Sequence, residues 1–103
     1  MLYNYINGHE RGVFKKIVER YSNKKLVFFD VGACFGYYSC LVNKISKAEI
    51  YAFEPFVGHY KYLEKNIKKL DGKVVKKFIG VENNDKMISL DAYCLNNNVF
   101  PDL

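Results

Sequence analysis

The stretch Leu26-Val27-Phe28-Phe29-Asp30-Val31-Gly32-Ala33-Cys34-Phe35-Gly36 decides how this chain is read, because an apolar run breaks there into an acid and then into spaced glycines. A strand buried on both faces needs apolar residues at consecutive positions, and Val27, Phe28, Phe29 and Val31 supply them. Gly32 lacks a Cβ, so the backbone there can turn sharply or approach a ligand closely. Gly36 falls where a small residue lets a following helix pack against the strand. The stretch therefore predicts a strand, a tight turn and a helix start. A pocket is expected at the strand's C-terminal edge, walled by backbone N–H groups of the helix N-terminus.

The spacing bears on the ligand. In the dinucleotide fingerprint G-x-G-x-x-G, the second glycine brings backbone against a pyrophosphate. Counted from Gly32, that position holds Cys34 and the last holds Tyr37, so the fingerprint fails twice. What stands here is D-x-G-x-x-x-G. An acid at a strand end repels phosphate but accepts hydrogen bonds from an ammonium or, through water, from a methionine-like moiety. A ligand with no phosphate and a cationic amino-acid end fits better.

A second strand-like run, Ile50-Tyr51-Ala52-Phe53, closes on Glu54 and Pro55, about 20 residues beyond the turn, where a βαβ unit places the acid that binds ribose hydroxyls. Three stretches now carry a resemblance. Asp30 through Ser39, Tyr51 through Pro55, and Tyr60-Lys61-Tyr62-Leu63-Glu64-Lys65-Asn66-Ile67 look like the FkbM-type family of class I S-adenosylmethionine methyltransferases. The resemblance runs from about Glu10 to the last residue.

It implies that Asp30, Gly32 and Gly36 match the first methyltransferase motif and that Glu54 matches the acid on the adenosine ribose. The implied cofactor is S-adenosyl-L-methionine, with binding residues Asp30, Gly32, Ala33, Cys34, Gly36, Ser39, Glu54 and Pro55. Cys34 departs from the asparagine or similar polar residue usual in the family. Ser89-Leu90-Asp91-Ala92-Tyr93 resembles a further family segment, with Ala92 in place of its second acid. Pro101-Asp102-Leu103 resembles the lead-in to a fourth strand that carries Lys-x-Asp-x-Glu-Gly in the family, and the sequence stops just before that motif.

The implied fold is α/β, a Rossmann-like class I methyltransferase fold. It is expected as a truncated three-layer α/β/α arrangement of the first three parallel strands plus a short hairpin. By the same resemblance, residues 1–103 are expected to form one partial cofactor-binding domain, the N-terminal half of the usual enzyme. The implied activity is O-methylation of a hydroxyl on a small molecule, sugar or glycan, with the acceptor and catalytic groups in the other half.

Composition bounds the rest. At 103 residues, 50% hydrophobic, the chain can bury one modest core. Three cysteines, Cys34, Cys40 and Cys94, include no C-x-x-C pair and suit a reducing compartment rather than a zinc site or a disulfide framework. The opening Met1-Leu2-Tyr3-Asn4-Tyr5 has neither a basic nor an apolar signal region, and no apolar run approaches a membrane span. A cytoplasmic location without a membrane span is expected. The net charge of +5 rests on lysines along helix faces; with only two arginines, Arg11 and Arg20, it disfavours nucleic acid as a partner.

In chain order, Asn7-Gly8 reads as a turn, and Val13, Phe14, Ile17, Val18 and Tyr21 recur at helical spacing from about Glu10 to Tyr21. After the loop Ser22–Lys25 and the first strand, a helix runs from about Phe35 to Ser46 on Tyr38, Leu41, Val42 and Ile45. A second strand covers about Glu49 to Phe53, and a helix near Gly58 to Leu70 ends at Asp71-Gly72. Lys73 to Val81 reads as a third strand, and Asn83-Asn84-Asp85 turns the chain into a short strand Lys86–Ser89, a hairpin-like excursion. Leu90 to Leu95 reads as one or two helical turns, and Asn96-Asn97-Asn98 as a loop or tail.

Plain structural roles stand beside the sharp ones. His9 and His59 read as surface or capping residues, and Cys34 as a small turn-lining residue, since no histidine lies near it in sequence and thiolate activation needs a cationic neighbour. Tyr37 and Tyr38 read as core or cleft wall and Asp91 as a helix cap; Ile79 and Val81 are of a kind that could frame an adenine, though strands end on such residues routinely. No residue presents itself as a catalytic base, and no metal site is read. In the family's strand order one flank of the first strand lacks its partner here, so an oligomer or the missing half is expected to cover that edge. Two other functional classes compete: a degenerate module acting in assembly, and a basic nucleic-acid-binding module.

Overall fold

The computed structural model describes residues 8–102, so the Asn7 half of the expected Asn7-Gly8 turn lies outside them. Helix α1 (Gly8–Tyr21) leads into strand β1 (Lys25–Val31), helix α2 (Tyr37–Ile45) and strand β2 (Lys47–Phe53). A single 3-10 turn, Val57–His59, opens helix α3 (Tyr60–Lys69), and short strands β3 (Lys73–Val75), β4 (Phe78–Ile79) and β5 (Met87–Ile88) precede helix α4 (Leu90–Asn97).

Strands β1, β2 and β3 form one parallel sheet in that order. The register pairs Asp30 with Ala52 and Val31 with Phe53, then Phe53 with Val75, so the three strands end almost level. Parallel neighbours require crossovers, which α2 and α3 provide. The architecture is Rossmann-like α/β, as the alternation predicts.

Side chains alternate across the sheet and build two clusters. Leu26, Phe28, Ile50 and Ala52 face Val42 of α2 and Leu63 and Ile67 of α3. On the other face Phe29 and Phe53 meet Tyr93 and Cys94 of α4 and Val99, with Phe29, Phe53 and Tyr93 in mutual tilted or edge contacts at 5.0–5.8 Å between ring centres. Such aromatic pairs add roughly 0.5–1.5 kcal/mol each beyond burial. Tyr21 of α1 packs at the margin of the first cluster.

Four local expectations are corrected. The Lys73–Val81 strand is broken into β3 and β4, and β4 and β5 run parallel instead of forming a hairpin. The Asn84 side chain accepts from the N–H groups of Lys86 and Met87 (2.9 and 3.0 Å), and its own N–H reaches Met87 O (2.9 Å), so the chain reverses a second time. Asp91 does not cap α4. Ser89 does, its Oγ accepting from Ala92 N–H at 3.1 Å, and the helix continues through Asn96 and Asn97 to a left-handed C-cap at Asn98.

The free flank of β1 is not bare. Val27 N–H donates to Asp102 Oδ2 and Asp102 N–H donates to Val27 O, both at 2.8 Å, while Tyr21 Oη donates to Asp102 O at 3.2 Å. The expectation of an entirely unpartnered edge fails at this point. Val31, at the other end of the strand, is exposed.

Candidate functional site

The level ends of β1 and β2 leave two acids near the sheet's C-terminal edge on neighbouring strands, Asp30 in register with Ala52 and Glu54 two residues further on. Asp30 and Glu54 are 6% and 5% exposed. A buried carboxylate needs partners, and the two find different ones.

Asp30 sits on the α2 face of β1 and accepts from Ser39 Oγ at 2.7 Å. Ser39 is fully buried in α2. The sequence motif leads one to expect Asp30 turned toward an ammonium and Ser39 toward the cofactor; both side chains are turned inward on each other, and together they tie the helix to the strand. Burial pushes the Asp30 carboxyl above its usual range, the hydrogen bonds from Ser39 oppose this, and the neighbouring Glu54 charge adds to it.

Glu54 lies one residue past β2. Its Oε1 accepts from Cys34 N–H at 2.8 Å, its Oε2 accepts from Phe56 N–H at 2.9 Å, and His59 Nδ1 stands 3.3 Å from Oε2 without a well-aligned hydrogen bond. Burial acts to raise this carboxyl, but the Phe56 and Cys34 N–H groups and His59 together hold it below its ordinary value. A carboxylate offers about four acceptor positions. The observed contacts take most of them.

The turn between Asp30 and α2 is built around two left-handed glycines, Gly32 (φ 70°) and Gly36 (φ 84°), with Cys34 also left-handed (φ 56°). A Cβ on Gly32 would meet nothing within 4 Å, so the space above it is open. A Cβ on Gly36 would stand 3.3 Å from Leu63 Cδ1 and Ile67 Cδ1. Gly36 therefore admits α3, not the strand as the spacing suggested. Asn66 of α3 also donates to Phe35 O at 2.7 Å, fixing the turn from the same side.

The turn's donors are largely spent. Gly32 and Ala33 N–H both reach Phe53 O (2.8 and 3.1 Å), Gly36 N–H reaches Ala33 O (2.8 Å), and Cys34 N–H reaches Glu54. The expected wall of open N–H groups is reduced, because the turn uses them to close on β2. Ala33 is buried, and Pro55, half-buried, accepts from Tyr60 Oη through its carbonyl at 2.9 Å.

The sequence reading missed His59. It stands at the N-cap position of α3, as expected, but its side chain makes no capping hydrogen bond and is not a plain surface group: Nε2 lies 3.8 Å from Cys34 Sγ, and the rings of Phe35 and Phe56 meet it edge-on at 5.0 and 4.7 Å. Pro55 and the 3-10 turn fold it back onto Glu54. A histidine five residues past a strand-end acid was the available signal. Tyr38 is exposed and Tyr37 half-buried, in edge contact with each other, while Ile79 packs into the second cluster and Val81 faces solvent.

A shallow depression at the opposite edge of the sheet, lined by Lys25, Asn43, Lys47 and Glu49 among others, contains neither acid. Among the described residues no group of His, Cys, Asp and Glu is arranged to hold a metal ion, and no helix is long and apolar enough to cross a membrane.

The fold and site define a Rossmann-like α/β layer with paired carboxylates at its C-terminal edge. No protein-family model and no curated protein sequence matches the chain. Among solved structures it is similar to the precorrin-6y C5,15-methyltransferase of Geobacter metallireducens GS-15, with a TM-score of 0.49 and 20% identity. The match covers 65% of this chain and 38% of that one, so this chain spans well under two thirds of that enzyme.

Proposed function

We propose that the chain binds S-adenosyl-L-methionine at the C-terminal edge of β1 and β2 and forms the cofactor-binding half of a methyltransferase. The observation that carries this reading is the pair of buried carboxylates on level, adjacent strand ends, with open space above Gly32 between the strand and α2. The FkbM-type resemblance of the quoted motif residues adds the finer reading, O-methylation of a hydroxyl on a small molecule or glycan.

The residues present fit the group in a specific way. Gly32 leaves room for close backbone approach, and Glu54, held anionic by two N–H donors, keeps acceptor capacity for a ribose hydroxyl. The exposed Phe56 ring, two residues on, offers an aromatic face at the rim. Asp30 acts through position, locking Ser39 and hence the start of α2. When bound, the cofactor supplies an electrophilic methyl group, and alignment with exclusion of water is most of what such a transfer asks of a protein. No residue among those described presents itself as a general base or acceptor site, so on this reading both fall to the rest of the enzyme.

Calorimetric titration of the chain with S-adenosyl-L-methionine is the direct test. Saturable binding that disappears in Glu54→Ala supports the reading; binding untouched by that change removes the assigned role. Assembly without a cofactor is the second reading, favoured by the spent donors of the Gly32–Gly36 turn. It predicts no heat of binding and a stable oligomer in light scattering.

A further inference from the structure

The turn reads Gly32-Ala33-Cys34-Phe35-Gly36, a G-x-C-x-G between a strand and a helix, and its central residue has the left-handed φ of 56°. A nucleophile on a sharp strand-to-helix turn is lifted clear of the sheet edge. Cys34 is half-buried, so a small reagent can reach it. His59 Nε2 stands 3.8 Å from its Sγ, and the opposite ring nitrogen faces Glu54 Oε2 at 3.3 Å. Glu54 is in turn fixed by the N–H groups of Cys34 and Phe56. Thiol, imidazole and carboxylate thus follow one another in space as nucleophile, base and orienting group. The other cysteines have no such partners: burial pushes the half-buried Cys40 thiol up, and Cys94 is buried in the second cluster.

We propose that Cys34 is a nucleophilic thiol served by His59 and Glu54, and that it is a site of covalent modification by small disulfides. Nε2 of His59 accepts the thiol proton. The Cys34 sulfur then bonds to one sulfur of the disulfide, the S–S bond breaks, and the departing half leaves as a thiolate that takes the proton from the imidazolium. The charged and titratable groups bearing on the imidazole are Glu54 and Cys34, with Asp30 acting on Glu54 from β1. This site does not depend on the cofactor reading, although Glu54 belongs to both.

The test is the reaction of the chain, without any cofactor, with dithiobisnitrobenzoate, followed by thiolate release and by peptide mapping of the adduct. Cys34 is expected to react before Cys40 and Cys94, and the fast phase to vanish in Cys34→Ser. His59→Gln, checked for folding by circular dichroism, should slow that phase about tenfold or more. Added imidazole should restore part of the rate in His59→Ala, which a purely structural histidine would not allow. Equal rates in the wild type and folded His59→Gln would overturn the proposal, as would a fast phase that survives Cys34→Ser. Should the histidine variants fail to fold, the comparison becomes wild-type Cys34 in the folded chain and in denaturant; a folded-state rate no higher than the unfolded one would equally overturn it.

Discussion

Asp30 and Glu54 end neighbouring parallel strands at nearly the same depth, yet the chain treats their charges oppositely. Asp30 faces the helix layer and is met mainly by the Ser39 hydroxyl, so burial outweighs its partners and its carboxyl lies above the ordinary value. Glu54 faces the turn, where backbone N–H groups from both sides and an imidazole converge on it, so its anion is favoured. Depth alone does not set the state of a buried acid; the number of donors aimed at it does. The carboxylate of Asp30 therefore costs stability when ionised, whereas that of Glu54 contributes stability in the same form.

The largest expected effect breaks the Glu54 half of the contrast. Glu54→Gln replaces one acceptor oxygen by an NH2 that faces a donor, and should destabilise the fold by about 3 kcal/mol at neutral pH, read from urea unfolding. Ser39→Ala comes next. It leaves Asp30 buried without its hydroxyl donor, and should cost about 2 kcal/mol at neutral pH and less in acid, where Asp30 is protonated.

The pH profile sharpens the comparison further. Because the folded-state value of Asp30 is raised, its contribution to stability is full below the ordinary carboxylate range and is lost as pH rises through the folded value. Because that of Glu54 is lowered, its contribution is present above the ordinary range and is lost as pH falls through the folded value. Asp30→Asn is thus expected to leave stability at pH 7 unchanged or higher by about 1 kcal/mol and to flatten the decline from acid to neutral pH. A thermal-melting series across pH for the wild type and both acid variants checks both signs; an Asp30→Asn protein much weaker than the wild type at neutral pH would show that Asp30 is held as an anion after all. The smallest effect lies at the free flank of β1. Asp102→Ala removes the acceptor of Val27 N–H and should lower stability by only about 0.5–1 kcal/mol, with faster hydrogen exchange at Val27.

Much of the sheet was legible because its signals are local. Val27, Phe28 and Phe29 in one run mark a strand covered on both faces, and Tyr60, Leu63 and Ile67 mark the inner stripe of α3. The acid near the end of each of the first two strands, Asp30 inside β1 and Glu54 just past β2, was likewise visible, since Gly32 and Pro55 mark where the strands stop. The break at Lys76-Lys77 was not, and nor was the parallel sense of β4 and β5, which goes with the N–H groups of Lys86 and Met87 that the Asn84 side chain captures. Nor were the partners of Asp30 legible. The alternation of a strand assigns a side chain to a face, but a serine nine residues later reaches it only once α2 has packed.

The sequence by itself determined the order of strands and helices, the two acids at the sheet's edge and the glycines that let the backbone turn between them, because each follows from hydrophobic period or from the φ that a residue can adopt. Tertiary structure alone decided which acid has its carboxyl pushed up and which has it held down, that α3 closes on Gly36, and that His59 stands between Cys34 and Glu54. Those outcomes depend on distances between groups far apart in the chain, and such distances exist only after the layers have packed.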